Sequence, residues 1–230
     1  MTAGLLTPDA FVERLRAEGA SRYHVHHPFN VRMHAGALTR DELQRWVKNR
    51  FYYQTRIPIK DSLILSKSDD PAFRRLWMHR LTDHDGTKDG EGGLFEWLLL
   101  ARAVGLDPDE VRSCAHVLPG VRYACDSYVE LVRERSLVEA VASSLTEAFA
   151  PDIMTTRIAA WEKHYPWVDQ QSLAYFRSRV PRAARDANEA IAFVCEHAKT
   201  RDLQEACVRA LMAKCTILWG MLDAIAEARA

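Results

Sequence analysis

Several things are scarce in this chain, and each scarcity excludes something. A surplus of charge of either sign is missing: Lys plus Arg and Asp plus Glu both number 31, so net charge is zero. No basic surplus points to nucleic acid or to a membrane surface. Cysteine is sparse and odd in number, at Cys114, Cys125, Cys195, Cys207 and Cys215, with no CxxC pair. That argues against a disulfide framework or a cysteine-rich zinc site, and the expected compartment is the reducing cytoplasm. No uncharged run reaches membrane-spanning length. Glu13, Arg14 and Arg16 interrupt the N-terminal stretch where a signal peptide needs an apolar core. Sustained strand alternation, internal repeats and low-complexity linkers are also lacking. So are the fingerprints of serine nucleophiles, phosphate loops and dinucleotide sites.

What is present is helix punctuation from end to end. Thr7 with Pro8, Asp70 with Pro71 and Asp107 with Pro108 pair a side-chain cap with proline at the first helical position. Thr39 with Glu42 and Ser136 with Glu139 have capping-box spacing. Helices are expected over 8–20, 39–55 with a kink or restart at Pro58 and continuation to 67, 71–84, 94–104, 119–133, 137–151, 152–163, 168–179, 182–198 and 201–229. A short one follows Pro108. Residues 22–38 and the glycine-rich stretch 85–93 are expected to be irregular. The prediction is an all-α fold, a compact multi-helix bundle forming one domain over 1–230. The segment 169–181, ending at Pro181, is expected to move when ligand binds.

The helices break their own apolar stripes. In the last one, Lys214 interrupts Leu203, Cys207, Leu211, Leu218, Leu222 and Ile225. Arg50 and Gln54 continue the stripe of Leu43, Trp46 and Val47. Arg80 and His84 continue that of Phe73, Leu76 and Trp77. Leu137, Ala140, Val141 and Ser144 lead toward Glu147. Any one of these groups is explained by a snorkelling side chain or a core ion pair. Several together imply helices converging on a polar interior with a cationic excess: Arg50, Lys60, Arg80, Arg157, Arg179 and Lys214. Such an interior suits a ligand bearing carboxylates or phosphates. Tyr175 and Arg179 lie one turn apart, which is either an ordinary stacking contact or a phenol and a cation aimed at one ligand atom. Phe51, Trp46, Tyr52, Tyr53 and Tyr128 are core residues, some of them candidates to sandwich a flat ring. His24, His26 and His27 form a weak metal signal. Glu-x-x-His, needed for a di-iron helical site, is absent, so no tightly ligated metal is expected.

These residues sit in stretches that resemble the pyrroloquinoline-quinone synthase family: YHVHHPFNVRMHAG (23–36), NRFYYQTRIPIKD (49–61), DHDG (83–86), HVLPGVRYACDSY (116–128), SSLTEAFAP (143–151), HYPWV (164–168), YFRSR (175–179) and KCTILWGMLDA (214–224). The resemblance implies a heme-oxygenase-like helical fold and a homodimer. It implies a cofactor-free oxidase that uses neither heme nor metal. The reaction would close a ring in a bicyclic, polycarboxylate ortho-quinone precursor and remove eight electrons. Dioxygen would be the acceptor, hydrogen peroxide a product, and pyrroloquinoline quinone the organic product. A small peptide-carrier protein or fused carrier domain is a further expected partner.

By the same resemblance His84, Tyr175, Arg179 and Glu147 are the expected catalytic residues. Tyr23, His24, Arg50, Gln54, Lys60, Arg80, Tyr128, Arg157 and Lys214 would bind substrate. His84 would move protons, because its ordinary pKa is nearest neutrality. Met154 stands where some relatives carry a histidine. The rivals are a metal-dependent oxidase on the same fold, which needs ligands where this chain has Tyr175 and Arg179, and a non-catalytic protein that sequesters the quinone.

Overall fold

The computed structural model describes residues 4–228, and these form eleven α-helices joined by short turns and three 3-10 segments. Helix α1 spans Pro8–Arg22, α2 Pro28–His34, α3 Arg40–Ser66, α4 Pro71–Asp85, α5 Gly92–Ala103 and α6 Pro108–Ser113. Helix α7 spans Pro119–Glu134, α8 Leu137–Ser143, α9 Ala150–His164, α10 Ala174–His197 and α11 Arg201–Glu227. The all-α expectation holds. Among the described residues no helix is long and apolar enough to cross a membrane.

The caps behave as their chemistry requires. The hydroxyl of Thr7 accepts from the Ala10 N–H, and Asp70 accepts from Ala72 and Phe73. Both capping boxes close, Thr39 with Glu42 and Ser136 with Glu139. Each satisfies backbone donors that the first helical turn leaves without partners.

Four stretches differ from expectation. Residues 22–38 are ordered as a 3-10 turn at His24–His26 followed by α2. The cap of α2 is a histidine: His27 Nδ1 accepts from the Phe29 N–H at 3.0 Å, with Pro28 at the first helical position. At Pro58, α3 neither stops nor restarts. Buried Ile57, Lys60, Asp61 and Ile64 hold both sides of the proline in one packing environment, which outweighs the ~3 kcal/mol a helix-interior proline costs. Likewise α10 runs unbroken through Pro181, so no boundary lies there. The start of that helix is instead the 3-10 turn Gln170–Leu173. Finally, the helix expected over 137–151 ends at Ser143 and tightens into the 3-10 segment Ser144–Phe149 before α9 begins.

Helix α3 packs against α4 and α7, α10 against α9 and the 144–149 segment, and α11 against α1, α7 and α8. An aromatic cluster of Trp46, Trp97, Trp161 and Phe176 joins α3, α5, α9 and α10, with ring centroids 5.4–6.3 Å apart. Leu76 is the exception on the α4 stripe and lies on the outside, two-fifths exposed.

Candidate active site

The polar groups that broke the apolar stripes do converge. A narrow cavity of about 40 Å³ lies between the 24–26 turn, α3, α4, the 144–149 segment and α9 to α11. Nine of the thirteen expected site residues line it. They are Tyr23 and His24 from the turn region, Arg50 and Gln54 from α3, His84 from α4, Glu147 from the 3-10 segment, Arg157 from α9, and Tyr175 and Arg179 from α10. The 3-10 tightening at Ser144 is part of how Glu147 reaches this wall. Ser144 is buried and accepts from Lys60 Nζ at 3.0 Å, which ties the segment to α3.

The lining is rich in unspent donors. The Arg50 guanidinium lies 3.7 Å from the Tyr53 ring centroid, and its Nη1 has no hydrogen-bond partner. Arg157 donates from Nη2 to Asn30 Oδ1 at 3.2 Å, stacks 5.0 Å from Trp46, and leaves Nε unpartnered. Burial, then Arg50, pushes Arg157 down to about 10, so it stays cationic at neutral pH. Tyr175 donates to Gln54 Oε1 at 2.8 Å, and the Gln54 amide nitrogen is left free. Buried donors without partners are costly in a folded protein. Arg50, Arg157 and Gln54 all line one cavity, and a ligand bearing acceptor oxygens suits such donors.

Arg179 is the one cavity cation already paired. It donates to Glu147 at 2.6 Å and lies 3.4 Å from Asp186. Burial alone would lower its pKa, but Glu147, Tyr175 and Asp186 reverse that and raise it. A fixed, permanently charged guanidinium therefore stands beside the Tyr175 phenol.

His84 requires a correction. Its Nδ1 donates to the Arg80 carbonyl at 3.1 Å, because a carbonyl only accepts. Burial, then Arg179, brings its pKa down to about 3. The ring is thus neutral in the empty site and is no longer a near-neutral titrating group. It is a base with a lone pair on Nε2.

Four expected residues stay out of the wall. Lys60 is buried against Asp61 at 2.7 Å, whose carboxylate also accepts from Trp77 Nε1 at 2.8 Å. Asp61 keeps Lys60 charged despite burial. Arg80 stacks 3.8 Å from Trp77, donates to the Asp186 carbonyl at 2.6 Å and lies 3.7 Å from the Asp186 carboxylate. Direct substrate contact by Lys60 or Arg80 would require leaving these partners. Tyr128 and Lys214 form a layer behind Tyr53: Lys214 Nζ sits 4.2 Å from the Tyr53 centroid and 3.3 Å from that of Tyr128.

Sequence reasoning missed Asn30, Thr146, Ile57 and Met221, while Leu218 and Leu222 of the expected stripe do line the cavity. Asn30 lay in a stretch expected to be irregular, where no face can be assigned. Met154 does line the cavity, with its sulfur 3.9 Å from Arg157 Nη1. The run His24, His26, His27 is not a cluster: His26 bonds the Ala20 carbonyl and His27 bonds Asp223. His79, Asp186 and Glu189 do bring ligand atoms within 4.8 Å of one another. Their carboxylates, however, are already paired with Arg80, Arg179 and Arg185.

Comparison with known proteins agrees with this architecture. A family model described as TENA/THI-4/PQQC matches residues 13–224. A pyrroloquinoline-quinone synthase from Pseudomonas putida (strain W619) is 49% identical over 97% of this chain and 88% of its own. The enzyme of that name from Acidiphilium cryptum (strain JF-5) is 47% identical over 97% of this chain and 91% of its own. Among solved structures, a TenA homolog from Pseudomonas syringae pv. tomato superposes with a TM-score of 0.78 at 12% identity, covering 99% of this chain and 98% of that one. A domain with a heme oxygenase-like fold from Shewanella denitrificans gives 0.78 at 15% identity, covering 97% and 93%. At such identities these two speak for the fold alone. The chain belongs to the TENA/THI-4/PQQC family and has the heme-oxygenase-like fold.

Proposed function

We propose that this chain is an oxidase of pyrroloquinoline quinone biosynthesis. It would close a further ring on a bicyclic, polycarboxylate ortho-quinone precursor and remove eight electrons, passing them to dioxygen. Relatives named pyrroloquinoline-quinone synthase, at near half identity, support the pathway. The observation that carries the chemistry is the cavity lined by Arg50 and Arg157, each of which keeps a buried donor without a partner.

In this reading Arg50 and Arg157 hold carboxylates, and Gln54 adds a neutral donor. Tyr23 and Tyr53 flank the flat ring system. Lys60 and Arg80, committed to Asp61 and Asp186, contribute positive field from behind and do not clamp the substrate themselves. The quinol stages of the substrate reduce dioxygen directly, so the protein needs no flavin or metal of its own. Its work is orientation, proton movement and charge stabilisation. His84 Nε2, a weak base in the empty site, becomes more basic when an anionic substrate offsets Arg179 and then takes a proton from the reacting ring, and Glu147 is a second base. Arg179, fixed beside Tyr175, stabilises negative charge on oxygen as superoxide and then peroxide form. The subunit works as a homodimer in the cytoplasm, and a peptide carrier protein receives or delivers the small molecule.

The test is conversion by chelator-treated protein in a closed oxygen-electrode cell. Precursor should be consumed with dioxygen uptake, peroxide release and appearance of the product spectrum. Conversion that returns only on adding iron would favour the metal oxidase. Tight binding with no conversion would favour a sequestering protein.

A further inference from the structure

Asn30 is fully buried between His24 and Arg157, and its amide orientation is dictated by its partners. Arg157 can only donate, so the atom facing it at 3.2 Å is the Asn30 carbonyl oxygen. The His24 backbone carbonyl can only accept, so the atom facing it at 2.8 Å is the Asn30 amide nitrogen. These two bonds agree, and no flipped amide satisfies either. The second hydrogen of that nitrogen points toward His24 Nδ1, 3.3 Å away. Nδ1 must then carry the lone pair, and the proton of the neutral ring sits on Nε2.

We propose that Asn30 is a positioning residue that holds His24 as a neutral hydrogen-bond donor toward the cavity, opposite in polarity to His84. The inference rests on the functional reading above and deepens it. His84 has its proton on Nδ1, used by the Arg80 carbonyl, so its Nε2 is an acceptor. The cavity thus holds two histidines of one chemical type and two opposite roles. His24 is kept neutral by burial and by Arg157 and Arg50, which push its pKa well below the ordinary value. Ring stacking on Tyr23, with centroids 4.3 Å apart, holds its plane.

The pairing orients a ligand. An oxygen without a proton, such as a carboxylate or a quinone oxygen, is matched by His24 and Arg157. A group that must give up a proton is matched by His84. His24 supplies a donor without adding charge to a site that already holds Arg50 and Arg157. A single side chain, Asn30, sets both members of the acceptor-binding end.

The experiment is a long-range proton–nitrogen correlation spectrum of empty, histidine-labelled protein near pH 7, assigned with H24Q and H84Q. The expected result is His24 protonated on Nε2 and His84 on Nδ1. His24 found as the Nδ1–H form, or as imidazolium, overturns the proposal, whether or not the protein converts any precursor. Asn30→Asp supplies a second reading, since an isosteric carboxylate only accepts. It should move the His24 proton to Nδ1 and weaken binding of pyrroloquinoline quinone roughly 10-fold, the scale of one hydrogen bond to a charged group. In the H24Q background, where a fixed amide replaces the ring, Asn30→Asp should cost clearly less. An equal loss in both backgrounds would mean that Asn30 acts on Arg157 alone, and would also overturn the proposal.

Discussion

Lys214 Nζ stands 3.3 Å from the centroid of the Tyr128 ring and has no hydrogen-bond partner. The residue is completely buried, and its pKa lies well below the ordinary lysine value because of burial first and Arg50 next. The unfolded chain holds that proton up to about pH 10.5, so at neutral pH this lysine opposes folding. Lys214→Met should therefore stabilise the empty protein by about 1–2 kcal/mol, the usual size of a favourable substitution. The same change should weaken binding of the polycarboxylate product by about 1 kcal/mol, ~5-fold, because Lys214 lends positive field from one layer behind Tyr53 and makes no direct contact. Urea melts and product titration check both halves. A variant that is less stable and binds equally well would make Lys214 a plain core residue.

Proton uptake should accompany binding. An anion near Lys214 favours its charged form, so the bound complex holds a proton that the empty site lacks. Calorimetric titration in two buffers of different ionisation enthalpy should show uptake near pH 8, lost in Lys214→Met. Identical heats in both buffers would remove the linkage.

His84→Ala should leave product affinity largely intact, since the donors at Arg50 and Arg157 lie apart from it. Turnover should fall roughly 10²–10⁴-fold, the cost of one positioned proton-transfer group, with a quinone or quinol intermediate accumulating after mixing with dioxygen. Because His84 in the free enzyme sits at about 3, kcat/KM should show no inflection from it near pH 6.5. Such an inflection in wild type that vanishes in the variant would contradict the neutral-base assignment.

Acid should destabilise the fold earlier than carboxylate protonation requires. His84 and His24 both have folded-state pKa values below the unfolded value of about 6.5. Below pH 6.5 the unfolded chain binds more protons, so stability falls as pH falls toward the folded values. At about 1.4 kcal/mol per pH unit for each ring, pH 5 should cost about 2–4 kcal/mol relative to pH 7.5. Urea midpoints at the two pH values measure it, and H84Q should recover part of the loss. A flat profile over this range would show that the rings are not held neutral.

Product binding should be felt most in the 144–149 segment. It carries Thr146 and Glu147 to the cavity, and the Glu147–Arg179 pair at 2.6 Å is its link to α10. Hydrogen exchange there should slow on adding product, while the middle of α10 around Pro181 changes little. The reverse pattern would put the moving part at Pro181 after all.

Much of this architecture was legible in residue order alone. Caps such as Thr7–Pro8, Asp70–Pro71 and the two capping boxes act through neighbours three residues away, so helix starts follow from local chemistry. The interrupted stripes at Arg50, His84 and Lys214 likewise announced a polar interior, because helical period is a local property. The fate of Pro58 and Pro181 was not local. Both sit inside unbroken helices, since packing on either side outweighs the missing hydrogen bond. Nor could periodicity separate Arg50, which lines the cavity, from Arg80, which is held outside it by Asp186 more than one hundred positions away. The protonation of His84 was likewise a tertiary matter. Its ordinary pKa belongs to the side chain, but its neutral state comes from burial and from Arg179 on a different helix. Residue order specified which groups point inward. Only the folded chain decided which were already satisfied by one another and which were left for a ligand, because that depends on partners brought together across helices.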